Sequence, residues 1–105
     1  MTIEYIRYRL AEHTAAELTN AYVKAEAFLK AAPQCLAFDL SHCEEDPALM
    51  TLRIVWTSTQ EHLTGFRKGE HFPGFLACIR PFIAEIVEMN HYAPTTVAWV
   101  RDADA

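Results

Sequence analysis

Histidine ionises nearest neutrality, so histidines are the first places to look for a general base or a metal ligand. The chain carries five: His13, His42, His62, His71 and His91. Their spacing matches no metal motif. There is no His-Glu-x-x-His, no His-x-x-x-His and no cysteine pair at zinc spacing, so no metal is expected. A two-histidine, one-carboxylate set drawn from distant positions stays open on spacing alone. A Gly-x-Ser-x-Gly elbow is missing, and three glycines in all leave no loop to cradle a phosphate. His62 follows Glu61 on an amphipathic stretch, where a solvated ring is the plain alternative to a base. His71 neighbours Glu70 at a helix start, and His42 and His91 sit near strand ends. Trp56 closes an apolar run and serves either as core filling or as a pocket wall.

The elements that must position these groups follow from periodicity. Residues 3–10 alternate and are rich in β-branched and aromatic types, which predicts a first strand. Thr14 with Glu17 forms a capping-box pattern, and Leu18, Ala21, Tyr22, Ala25, Phe28 and Leu29 recur at helical spacing over 15–31. Pro33 stops that helix. Residues 35–43 and 48–56 predict two strands joined through the turn Glu44-Glu-Asp-Pro47, hence an antiparallel hairpin. Ser58 with Glu61 predicts a second capping box and a short helix ending at Lys68-Gly69. Pro73 suits the first turn of another helix, with Phe75, Leu76, Ile79, Phe82 and Ile83 as its buried stripe. Residues 85–92 give a last strand and Pro94 ends it. The order β-α-β-β-α-β predicts an α+β, ferredoxin-like fold: a four-stranded antiparallel sheet with helices on one face. A domain over 1–94 and a C-terminal tail over 95–105 are expected, the tail's end frayed.

Parity divides each strand between two faces. Ile6, Tyr8 and Leu10, Leu36, Phe38, Leu40 and His42, Met50, Leu52, Ile54 and Trp56, and Val87, Met89 and His91 make one apolar face for the helices. The other mixes Tyr5, Leu49, Val55, Ile86 and Tyr92 with Arg7, Arg53, Asp39 and Glu88, which can pair. An open sheet in water is more polar than this. Such a mixture predicts an isologous interface, so the expected partner is a second copy.

Composition narrows the rest. A chain of 105 residues, 51% apolar, makes one domain and is no disordered segment. A net charge of −5 argues against nucleic acid, which needs a basic stripe; Arg67-Lys68 reads as a solvated helix end. The charged start is no signal peptide, and no apolar run nears the roughly 20 residues of a membrane span. Three cysteines suggest a reducing compartment. Cys35 and Cys43, about 26 Å apart along one strand, are beyond disulfide reach. A cytoplasmic protein without membrane contact is expected.

Tyr5-Ile-Arg-Tyr-Arg9, Leu52-Arg-Ile-Val-Trp-Thr-Ser58 with its following helix, and His71-Phe72 followed by Phe75 carry a further signal. Over residues 3–92 the chain resembles the antibiotic biosynthesis monooxygenase-like, dimeric α+β barrel family. Members include cofactor-free oxygenases of phenols and quinols, and relatives that bind and degrade haem. The resemblance implies a pocket between sheet and helices near the strand-three tryptophan, here Trp56. A histidine often follows that tryptophan by about ten residues in the family. Phe66 stands there in this chain, and His62, one turn earlier, is the substitute.

The expectation is a cofactor-independent monooxygenase of a small aromatic, quinol- or phenol-like ligand, with molecular oxygen as co-substrate. Such chemistry needs a base to form the electron-rich anion and a water-poor cavity. His62 or His91 would supply the base and Trp56 would shape the pocket. Tyr8, His42, Phe66, His71 and Phe75 would contact substrate. Two other readings share the architecture. One is a non-catalytic ligand-binding or stress-associated dimer. The other is a haem-binding relative with His62, His71 or His91 as axial ligand.

Overall fold

The structure, a computed structural model, describes residues 1–102. Its strands are β1 (Thr2–Arg9), β2 (Cys35–His42), β3 (Leu49–Trp56) and β4 (Ile86–Tyr92), paired antiparallel in the order β2-β3-β1-β4. Helix α1 (Ala15–Ala31) and helix α2 (Phe72–Ile79) pack together over one face. The ferredoxin-like α+β fold follows, with the helices on one side of the sheet. No described helix is long and apolar enough to cross a membrane. The end of the tail, residues 103–105, lies outside the described residues.

Local chemistry accounts for the element ends. The Glu17 N–H donates to Thr14 Oγ1 at 3.2 Å and the Thr14 N–H to Glu17 Oε1 at 2.8 Å, a complete capping box. Leu18, Tyr22, Ala25 and Leu29 form the buried stripe of α1. Gly74 is needed where α2 meets α1, because a Cβ there would stand 2.2 Å from Phe28 Cε1.

Three expectations need correction. The short helix after Ser58 is a π-helical turn, Glu61–Phe66, in which the Arg67 N–H donates to the His62 carbonyl at 3.0 Å. Ser58 does cap it, accepting from the Glu61 N–H at 2.9 Å, but no return bond from the Glu61 side chain is found among the described residues. The helix through Pro73 does not run on unbroken: Arg80–Glu85 tightens to a 3-10 turn around Pro81, so Phe82 is buried while Ile83 stays 43% exposed.

The third correction concerns parity. Val87 and Leu36, assigned to the helix-covered face, are 63% and 56% exposed. Register shifts explain both: β4 slips between the pairs Arg7↔Glu88 and Tyr8↔Ile86, and β2 between Cys35↔Trp56 and Ala37↔Val55. A bulged residue leaves the alternation. Ile86 therefore packs against the core in Val87's place.

The opposite face carries the two ion pairs its composition suggested, Arg7–Glu88 at 2.9 Å and Arg53–Asp39 at 3.5 Å. Tyr5 and Tyr92 meet edge to face beside them.

Candidate functional site

A cavity of about 200 Å³ opens between the sheet and the helical layer. Ile6 of β1, Ile54 and Trp56 of β3, Phe66 of the π turn, Phe75 and Ile79 of α2 and Ile86 of β4 make most of its wall. Glu4, His62 and Arg67 are its charged or titratable lining groups. Met89 and Ile83, each partly exposed, stand at the rim, where Arg67 Nη2 reaches Met89 Sδ at 4.0 Å.

The polar end is built around Glu4, which is 1% exposed. Trp56, fully buried, donates its indole N–H to Glu4 Oε1 at 3.0 Å. The His62 ring stacks on Trp56 with centroids 4.3 Å apart and planes 12° from parallel. His62 Nε2 faces Glu4 Oε1 at 3.6 Å, while His62 Nδ1 lies 2.7 Å from His91 Nε2, a hydrogen bond between the rings. His91 is half-buried and pairs with Glu4 in register across β1 and β4. The π turn explains why one short segment serves twice: His62 and Phe66, four apart, both turn inward. Such turns recur at functional sites.

Electrostatics follow from burial. Burial raises the Glu4 carboxyl above the ordinary carboxylate range, against the Trp56 hydrogen bond and the Arg67 charge, which pull it back. Burial pushes His62 down to about 3, with the Arg67 and His91 charges acting in the same direction. His91 is lowered as well, by burial and then by Arg67. Both imidazoles are therefore neutral at neutral pH.

Of the residues singled out from sequence, His62, His91, Trp56, Phe66 and Phe75 come together here, with His91 behind His62. The other three stand elsewhere. Tyr8 is buried against Tyr22, their hydroxyls 2.5 Å apart, with burial pushing Tyr8 up to about 12. His42 is exposed and donates from Nε2 to the Pro47 carbonyl at 2.9 Å. His71 lies by Gln34 and Gly69 in a separate recess, 3.6 Å from Glu70. Two groups escaped the sequence reading. Glu4 shares the parity of Ile6, Tyr8 and Leu10, and an acid on that apolar row was its available signal. Arg67, read as solvated, lines the cavity.

Glu4, His62 and His91 offer one ligand atom each within 4.8 Å of one another. The short contact in the set is already a hydrogen bond between the two rings. These are the two histidines and one carboxylate that spacing alone left open, and in this arrangement their closest contact is suited to passing a proton. For haem, His71 is remote, both nitrogens of His62 face protein partners, His91 stands behind His62 with its Nε2 engaged there, and the cavity is below the ~300–1,000 Å³ of drug-sized pockets.

The family model "Antibiotic biosynthesis monooxygenase" matches residues 1–77. The chain belongs to this family. No curated protein matches it in sequence. Among solved structures, a Chloroflexus aurantiacus protein carrying the same family name superposes with a TM-score of 0.71 at 20% identity, covering 95% of this chain and 98% of its own. SnoaB from Streptomyces nogalater, described as a cofactor-independent oxygenase and solved as a point mutant, gives 0.70 at 17% identity, covering 91% and 96%. Rv0793 from Mycobacterium tuberculosis gives 0.70 at 15%, covering 93% and 98%. At these identities the likeness establishes the shared fold, and this antibiotic biosynthesis monooxygenase family member must be read through its own cavity.

Proposed function

We propose that this protein is a cofactor-independent monooxygenase of a one- or two-ring phenol or quinol. The carrying observation is an almost wholly apolar cavity whose polar end gathers a buried carboxyl group, two neutral imidazoles and an arginine. An apolar cavity of about 150 Å³ holds benzene, so about 200 Å³ suits one substituted ring or two fused small rings. The ligand's hydroxyl would point to the Glu4–His62 end and lose its proton there, leaving an anion facing Arg67. That anion can reduce dioxygen. For a phenol, one oxygen atom becomes the second carbonyl of a quinone, and the other leaves as water with the O–H and ring C–H hydrogens. Trp56 and Phe66 would hold the ring flat and keep water from the intermediate.

The test is oxygen uptake by metal-stripped protein over a panel of one- and two-ring phenols and quinols. Turnover with small members, falling away for larger ones, is expected. No uptake above the protein-free rate across the panel would remove the reading.

The working form is proposed to be a homodimer closed through the open sheet face. The support is that face's mixture of Tyr5 and Tyr92 with paired charges. Trp99, Val97 and Val100, between 72% and 89% exposed, would then lie as an arm on the partner subunit. Three unpaired thiols suit a cytoplasmic setting.

A further inference from the structure

We propose that Glu4 accepts the hydroxyl proton of the bound ligand, with the His62–His91 pair as its route to solvent. This rests on the reading that a phenolic ligand enters the cavity. It differs from assigning the base to a histidine, which is what residue type alone suggests.

Position carries the argument first. Glu4 lines the cavity and is closed to bulk water, so a proton taken there cannot leave directly. Its Oε1 is held by the Trp56 indole N–H, and no hydrogen bond to Oε2 is found among the described residues. One oxygen is anchored and the other is left for a ligand. His62 stands between Glu4 and His91 and presents a different ring nitrogen to each. The 3.6 Å gap from Glu4 Oε1 to His62 Nε2 exceeds a hydrogen bond, as catalytic contacts in resting sites often do. His91, half-buried, ends the chain at the surface.

The ring pair accommodates either state of the acid. With Glu4 ionised, His91 Nε2–H donates to His62 Nδ1 and His62 Nε2–H points at the carboxylate. With Glu4 protonated, His62 Nε2 becomes an acceptor and Nδ1–H donates to His91. The step balances simply. The ligand O–H bond breaks, its electron pair stays on the phenolate oxygen, and an O–H bond forms on Glu4. That proton then passes to His62 Nε2 while Nδ1–H is given to His91 Nε2 and His91 sheds its other N–H proton to water, which leaves both rings in the tautomers of the ionised state. A flip of the His62 ring, with one proton lost and one gained at His91, readies the pair for the next proton. Burial acts on the groups in opposite senses, raising Glu4 and lowering His62, which leaves the carboxylate the better resting place for a proton. Arg67 is the facing cation, and its charge favours the phenolate.

The test uses 4-nitrophenol, whose neutral and ionised forms absorb at different wavelengths, with full-length metal-stripped protein below the free phenol's ionisation range. Wild type should bind it, by equilibrium dialysis, and show the phenolate band. Infrared difference spectra should show a neutral carboxyl band appearing on binding. Glu4→Gln keeps an acceptor for the Trp56 indole and should bind the phenol while losing both bands. His91→Asn should keep the phenolate band and slow proton release to an indicator dye. With a turned-over quinol, Glu4→Gln should cut oxygen uptake about 100-fold. A phenolate band of wild-type size in folded Glu4→Gln, or wild-type binding with no new carboxyl band, overturns the assignment alone. Failure of wild type to bind any phenol overturns the ligand reading and this assignment with it. Should Glu4→Gln not fold, the wild-type infrared spectrum decides by itself.

Discussion

At the scale of single residues, burial sets the character of the polar end. His62 is 3% exposed and stacked on Trp56, so protonating it places a charge where water cannot follow. A histidine held at about 3 in the folded chain, against an ordinary 6.5, is stable neutral. The unfolded chain binds the extra proton between those values. The stability His62 contributes is therefore full above pH 6.5 and is lost as pH falls toward 3, by about 1.4 kcal/mol per unit at most. Glu4, raised above 4.5, acts in the opposite sense, so the whole protein's profile mixes the two. We expect the difference in unfolding free energy between wild type and His62→Asn to shrink, and then reverse in favour of the variant, as pH is lowered through that window. Urea melts at several pH values would show it, and a difference independent of pH would contradict the burial of His62. Residue type left His62 as one of five histidines, and it was the family resemblance that singled out Trp56 and put His62 beside it. Glu4 was harder to see. An acid near the start of a strand is ordinarily solvated, and only the hydrogen bond from Trp56, fifty-two positions away, makes this one interior.

At the scale of elements, the cavity exists because regularity is broken in three places. The π turn brings His62 and Phe66 to one side, the β4 slip exchanges Val87 for Ile86, and the 3-10 turn at Pro81 leaves Ile83 at the rim. The continuous periodicities were legible: α1 with its capping box and the strands to within a residue or so. The breaks were not, because a bulge or a widened turn adds one residue to a repeat without altering composition. The layer that roofs the cavity depends on close contact between α1 and α2. A methyl group on residue 74 would drive into the Phe28 ring, whose three nearest atoms lie at 2.2, 2.4 and 2.8 Å from the Cβ position. Gly74→Ala should therefore cost about 1–3 kcal/mol, despite the better helix propensity of alanine. Adding Phe28→Leu, which removes the two ring atoms nearest the clash, should recover part of that loss. Denaturant unfolding of the four members of the cycle measures the coupling. Simple addition of the two single effects would mean that the helices do not approach as closely as described.

At the scale of the whole molecule, the unbalanced surface is the sheet face away from the helices. Its charges are neutralised in pairs, Arg7 with Glu88 and Arg53 with Asp39, and its aromatic and aliphatic groups lie between them. Paired charges lower the cost of removing such a face from water, whereas unpaired ones would forbid it. The fold class was legible in the order of the periodic segments; the use of this face is a question about two molecules, which a sequence answers only through composition. A second copy related by a two-fold axis would cover the face without leaving a free edge for further growth. Light scattering on the eluting peak should give about twice 11.9 kDa, falling on dilution. Arg53→Glu sets like charges against Asp39 in the middle of that face, opposite the cavity side, and should yield a folded monomer that still binds a phenol. Truncation after Pro94 should loosen the dimer without abolishing it, since it removes Val97, Trp99 and Val100 but leaves the sheet. A wild-type chain that is monomeric at micromolar concentration, or an Arg53→Glu variant of unchanged mass, would mean that this face meets water and that the site works within one chain.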